Sequence, residues 1–350
     1  MSVTVCLADY EKNGTFTRAQ LAELLSDPGS DTLELLRMKA DRIRRESVGD
    51  TVHIRGVIEF SNHCIRTCAY CGINRFNEKV NRYRIPIAEI KAVARGAANR
   101  GFHTVVLQSG DDFFYTAEDL ADAVAEIKLT GMAVTLSVGE RPQADYQLWR
   151  QAGADRYLLK FETSDPELYA RLHPGTSLER RLECLRQLRE LGYQVGSGFM
   201  VGLPGQTIDS LAGDLLLLRE LELEMAGIGP FIPHPGTPLH VAETGSVPMT
   251  LRVLALARMM IPWAHLPATT ALSSLSADGR RLGLTGGGNV VMPNLTPLAY
   301  RRLYEIYPHK AEVTATPDQL LAETKTLVHD LGRTIAQDAG HGRRLATAGA

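Results

Sequence analysis

From His53 onward the chain alternates short apolar runs with longer stretches in which apolar residues recur every three or four positions. Short runs flanked by polar or glycine-rich stretches predict buried strands, and the 3.6-residue period predicts amphipathic helices. The predicted strands are His53–Phe60, Thr104–Gln108, Ala133–Val138, Arg156–Phe161, Gln194–Val201, Met225–Ile232, Ala268–Leu272 and Asn289–Met292. Helices are predicted between them over Ile87–Arg100, Ala117–Thr130, Ala144–Ala152, Leu178–Leu191, Ile208–Leu223 and Met249–Ile261. This alternation implies an α/β protein whose parallel strands are joined by crossovers, and the number of units favours a closed (βα)8 barrel of the TIM type over an open sheet. Phe16 to about Arg45 reads as helices ahead of the barrel, with Thr17 as a cap and Leu33, Leu36, Ala40 and Ile43 on one face. Asp318–Leu331 reads as a helical extension, followed by a Gly/Ala-rich end expected to fray.

Composition narrows the function classes. The 350 residues are 44% hydrophobic and 22% charged, with a net charge of −2. That gives no electrostatic reason to bind nucleic acid or an anionic membrane. No apolar run reaches bilayer length, and Met1–Asp9 lacks the pattern of a signal peptide. The basic run Arg37, Lys39, Arg42, Arg44 and Arg45 reads as a solvated helix face balanced by Asp31, Glu34 and Asp41.

The five cysteines change the picture most. Cys64, Cys68 and Cys71 form C-x3-C-x2-C with Tyr70 before the last, on a loop leaving the first predicted strand. Three thiolates hold three irons of a cubane cluster and leave one iron open to a chelating small molecule. Structural zinc is the alternative, but it is usually held by four ligands in paired spacings. Unpaired thiols suit the cytoplasm, and Cys6 and Cys184 read as packing residues. Polar residues also gather at the predicted strand ends, where barrel enzymes carry their sites. Arg156 and Glu162 read as ligand-binding, because a charge facing the barrel interior is costly without a partner. Gly202–Thr207 reads either as a functional loop or as a turn with Thr207 as cap. Gly286–Gly288 reads as an anion cradle or a turn, and His234 as functional or structural.

The cysteine motif is the signature of radical S-adenosylmethionine (SAM) enzymes. Several strings make the resemblance closer: Ala154–Leu159, Val201–Thr207, Gly227–Pro235, Pro267–Thr270 and Met292–Asn294. With them the chain resembles the HydE family, the radical SAM maturases of [FeFe]-hydrogenase, from about Val48 to Pro308. The resemblance implies a helical segment 1–47, a radical SAM core 48–272 and a C-terminal part 273–350 completing the barrel. It implies a [4Fe-4S] cluster on Cys64, Cys68 and Cys71, and SAM at Tyr70, Ser109, Ser137, Glu162, Arg181 and Ile232. A zwitterionic methionine moiety needs an acid such as Glu162 and a guanidinium such as Arg181. A second pocket is implied at Gln108, Thr135, Arg156, Met225, Thr269, Thr270 and Met292, with Arg156, Tyr304 and Tyr307 as catalytic candidates. The implied reaction is reductive cleavage of SAM to a 5′-deoxyadenosyl radical, acting on an iron–cysteine organometallic precursor. The implied partners are the maturases HydG and HydF and an electron donor. The sequence departs from the family at Lys160-Phe161, where Arg-His is common, and it lacks a C-terminal cysteine trio. The alternatives are a methylornithine synthase-like mutase, biotin synthase-like sulfur insertion, or a non-catalytic iron–sulfur carrier.

Overall fold

The computed structural model describes residues 2–311 and 313–342. The strand expected over His53–Phe60 divides at Arg55 into β1 (Thr51–Ile54) and β2 (Gly56–Ser61). The break falls where another part of the chain presses on Gly56: a Cβ there would lie 2.1 Å from Leu295 Cδ1. β2 then opens a six-stranded parallel sheet that runs in chain order through β3 (Thr104–Ser109), β4 (Ala133–Ser137), β5 (Arg156–Leu158), β6 (Gln194–Val201) and β7 (Met225–Pro230). These strands are almost wholly buried, as in a parallel sheet covered on both faces. The register pairs Glu59 with Gln108 and Gln108 with Ser137, which sets three polar residues side by side at one end.

β1 instead joins β8 (Val290–Val291) and β9 (Thr334–Ile335) in a second parallel sheet. Isolated parallel bridges at Met225–His265, Pro267–Val290 and Val57–Asn294 link the two sheets. The expected continuous ladder of eight strands is therefore replaced by six strands, three short ones and bridges. The strand expected over Ala268–Leu272 is absent: Pro267 has no N–H to donate, and Thr269 already begins the helix Thr270–Leu275. The strand expected over Asn289–Met292 keeps two residues, with Pro293 just beyond.

Helices α1 (Val3–Asn13), α2 (Arg18–Ser26) and α3 (Ser30–Val48) brace the outside. Thr17 caps α2 in a reciprocal box with Gln20. Arg44 departs from the expected solvated face; it is buried and held by Asp41 at 2.9 Å and Asp50 at 2.8 Å. The crossovers are α4 (Ile87–Asn99), α5 (Ala117–Lys128), α6 (Gln143–Gln151), α7 (Pro166–Leu172), α8 (Leu178–Glu190), α9 (Ile208–Glu220) and α10 (Val247–Met260). α2 packs on α9 and α3 on α10. α11 (Thr270–Leu275), α12 (Gly279–Thr285), α13 (Leu298–Arg301) and α14 (Pro317–Asp330) follow.

The segment after α14 is docked where fraying was expected, up to residue 342; residues 343–350 lie outside the described residues. Arg333 donates to the carbonyls of Leu284 and Gly288, both at 3.0 Å. Arg156, at the amino end of β5, donates to the carbonyls of Ala339 (2.6 Å) and Gly340 (2.9 Å), and Arg55 donates to that of Gly340 at 3.1 Å. Gly342 N–H donates to Gln194 at 2.8 Å. Two glycine-rich turns are tied down by hydrogen bonds within the fold. In Gly202–Thr207 the Gln206 side chain accepts from Gly202 N–H at 2.7 Å and Thr207 caps α9. At Gly286–Gly288 the carbonyls are pinned by Arg258 and Arg333.

Candidate active site

The carboxyl ends of β2–β7 open on one cavity of about 400 Å³. Cys64, Cys68 and Cys71 line its rim with Tyr70. Gly110 allows the loop after β3 to close on the cysteine loop, since a Cβ there would fall 2.3 Å from His63 O and 2.7 Å from Cys64 Cβ. Backbone N–H groups of Arg66 and Asp111 each donate to Cys64 Sγ at 3.4 Å. Burial and the neighbouring carboxylate of Asp111 push the Cys64 thiol up to about 11. Burial and Cys64 push Cys71 up to about 12, and burial with the other two sulfurs raises Cys68 well above its ordinary value. Three neighbouring sulfurs that raise one another's pKa ionise together when a strongly cationic group binds them. Aimed N–H donors and a soft thiolate set suit an iron–sulfur cluster.

Glu162 lies beyond the end of β5 in the left-handed region, with φ 65°. Its Oε2 is buried and 2.9 Å from Lys160 Nζ, yet the contact is off hydrogen-bond geometry and the oxygen has no hydrogen-bond partner. An acceptor is thus held on the cavity wall in a conformation that non-glycine residues seldom adopt. Arg181, in the first turn of α8, donates from Nε to Glu140 Oε1 at 2.7 Å. Glu140 also accepts from Arg66 at 3.0 Å, and Arg66 reaches Asp111 at 2.6 Å. The cation expected to meet a free carboxylate is therefore part of an Asp111–Arg66–Glu140–Arg181 chain. Ser109, Ser137 and Ile232 also line the cavity. Phe161 faces away from it, buried and stacked on Phe199 at 5.8 Å.

The same cavity is also lined by Gln108, Thr269, Thr270, Met292, Tyr304 and Tyr307. Gln108 Nε2 donates to Tyr304 Oη at 3.3 Å, and the buried Thr269 hydroxyl has no partner. Arg156, Thr135 and Met225 are not in the lining: Arg156 is taken up by the docked tail, and Met225 Sδ lies 2.9 Å from Arg55 Nη1. Thr135 is buried beside Arg156, its hydroxyl unpartnered. His234 accepts from Gly236 N–H at 2.9 Å and packs under Gly72. Sequence reasoning missed Glu59 and Lys310, which are ion-paired within the cavity wall; Asn294 donates to the same carboxylate at 2.7 Å. The signal for Glu59 was an acid inside a buried strand. It also missed His173, between Cys68 and Tyr70.

The model of the Radical SAM superfamily matches residues 58–218. The [FeFe] hydrogenase maturase subunit HydE of Thermotoga maritima is 48% identical over 330 residues, 94% of this chain and 95% of that protein. The 3-methylornithine synthase of Methanosarcina acetivorans is 32% identical over 274 residues, 77% of each. The crystal structure of methylornithine synthase superposes with a TM-score of 0.84 at 28% identity, covering 94% of this chain and 97% of that one. With near-half identity along almost the whole length, and the cysteine trio at the mouth of a parallel α/β sheet, the chain belongs to the HydE family of radical SAM enzymes.

Proposed function

We propose that the chain cleaves SAM reductively at a [4Fe-4S] cluster held by Cys64, Cys68 and Cys71, and thereby helps build the dithiolate-bridged diiron part of the H-cluster of an [FeFe]-hydrogenase. The 48% identity to HydE over 94% of the chain carries this reading. The cluster with SAM supplies a 5′-deoxyadenosyl radical when bound; the barrel's own residues orient the reactants and exclude water. Glu162 takes the methionine ammonium, and Arg181, anchored by Glu140, offers its remaining N–H group to the carboxylate. Ser109, Ser137, Ile232 and the main chain at Tyr70 surround the nucleoside. Gln108, Thr269, Thr270, Met292, Tyr304 and Tyr307 hold an iron–cysteine precursor, with Thr135, Met225 and Arg156 forming the floor beneath it. HydG is the source of that precursor, HydF a further partner maturase, and an outside donor in the cytoplasm supplies the electron. The bridges between the two sheets are read as closing a (βα)8 barrel, with 48–272 as core, 273–350 as its completion and 1–47 as a brace. No helix among the described residues is long and apolar enough to cross a membrane.

One observation favours a second reading. An amino-acid mutase needs charged partners for a substrate's carboxylate and amine, and Lys310 and Glu59 stand in the cavity wall. Their mutual ion pair makes them poorer ligands for a zwitterion than two free charges. Sulfur insertion lacks its second cluster: Cys6 and Cys184 are fully buried in α1 and α8. The test is hydrogen evolution by a hydrogenase co-expressed with HydG, HydF and this protein. Activity is expected with wild type and not with Cys68→Ala. No activity, together with conversion of lysine to methylornithine, would overturn the maturase reading.

A further inference from the structure

The loop carrying Cys68 is fastened to the end of α7 residue by residue. Thr67 Oγ1 donates to Pro174 O at 3.1 Å, and Ala69 N–H donates to Leu172 O at 2.9 Å. Between these two contacts the His173 ring sits 2% exposed, stacked on Tyr169 with centroids 4.4 Å apart and edge-on to Tyr70 at 5.3 Å. Its Nδ1 lies 3.3 Å from Cys68 Sγ and its Nε2 3.2 Å from the Tyr70 hydroxyl. A neutral imidazole carries a single N–H. A phenol has one proton to give. If Tyr70 donates to Nε2, the remaining N–H is on Nδ1 and points at sulfur.

Of the other two cysteines, Cys64 draws its hydrogen bonds from the backbone, at Arg66 and Asp111. Cys68 has a side chain in that place. Hydrogen bonds to cluster sulfurs stabilise the more negative, reduced state and raise the potential. We propose that His173 is a positioning residue that donates from Nδ1 to Cys68 Sγ and so sets the reduction potential of the iron centre held there, with the Tyr70 hydroxyl fixing its tautomer. The proposal rests on the cluster assignment made above and adds a determinant of how readily that cluster accepts its electron.

The experiment uses the full chain, reconstituted anaerobically with iron and sulfide, and an EPR-monitored redox titration without SAM. His173→Phe removes the donor and keeps a flat ring. His173→Asn keeps an N–H at the place of Nδ1, and His173→Gln places its amide nearer Nε2. The expected result is a more negative midpoint for Phe and Gln, read as a several-fold lower reduced fraction at a fixed potential, with Asn close to wild type. A wild-type midpoint in the Phe variant, or equal shifts in Asn and Gln, would overturn the proposal. If the Phe variant fails to take up iron, the Asn–Gln comparison decides. Wild type that binds no four-iron cluster would instead overturn the cluster assignment, so the two failures are told apart by iron and sulfide counts taken first.

Discussion

Glu162 is placed where its backbone and its side chain pull in opposite directions, and exchanging it for Gly and for Ala separates the two. Its φ of 65° costs a residue with a Cβ about 1–2 kcal/mol. Glycine escapes that cost but loses about 0.5–1 kcal/mol more chain entropy than alanine. Glu162→Gly is therefore expected to be more stable than Glu162→Ala by about 0.5–1 kcal/mol, the reverse of the usual order at an extended position. Both substitutions delete the carboxylate, so the Lys160 contact cancels between them. Both also remove the acceptor expected for the SAM ammonium, a charge-assisted contact of about 1.5–3 kcal/mol, or roughly 10- to 150-fold in affinity. Urea denaturation of the metal-free variants reads the first effect. The SAM-induced change in the cluster's EPR signal, titrated in the reconstituted variants, reads the second. An alanine variant at least as stable as the glycine variant would refute the strain argument. Undiminished SAM affinity in both would remove Glu162 from the site.

Anaerobic reconstitution should give four irons and four sulfides per chain with a single cluster in the Mössbauer spectrum, because Cys6 and Cys184 are fully buried within α1 and α8; close to eight irons would contradict this. Burial pushes Asp214 up to about 7, despite Ser164 N–H and Gln206 Nε2 donating to it. The unfolded chain releases this proton near 3.8, so the native state holds it longer and its stability relative to the unfolded chain falls as pH rises from about 4 to 7. Asp214→Asn should flatten that decline by an amount on the order of 4 kcal/mol across the window; parallel pH profiles from denaturant unfolding would refute the assignment.

The cysteine trio and the order of strands and helices were legible because each is written locally, as spacing or as periodicity. Glu162 and Arg181 were legible as charges that need a partner. The partners were not: the Asp111–Arg66–Glu140–Arg181 chain joins four separate loops and helices, and no period in the sequence marks it. Arg156 shows the same limit from the other side. Its burial was readable, but the carbonyls that satisfy it come from residues 339 and 340, nearly two hundred positions away. The strand expected at Ala268–Leu272 failed because its composition is apolar while Pro267 and the capping geometry at Thr269 are decided by neighbours. Glu59 looked like part of an apolar strand, and its reason for being there, Lys310, lies some 250 residues on.

The docked segment after α14 fixes a timetable for the protein's biosynthesis. Thr51 and Arg55 emerge from the ribosome long before Arg333 and Gly340, which bond them across 282 and 285 positions. At 5–20 residues per second that wait is roughly 15–60 s. During it β1 has neither β8 nor β9 beside it, and the thiols of Cys64, Cys68 and Cys71 are already translated on a domain whose floor is missing. Oxygen reaching the nascent chain in that interval meets three adjacent thiols before a finished cavity can shield them, so the yield of iron-competent protein should track how anaerobic the cell is while the chain is made, as well as how it is purified afterwards.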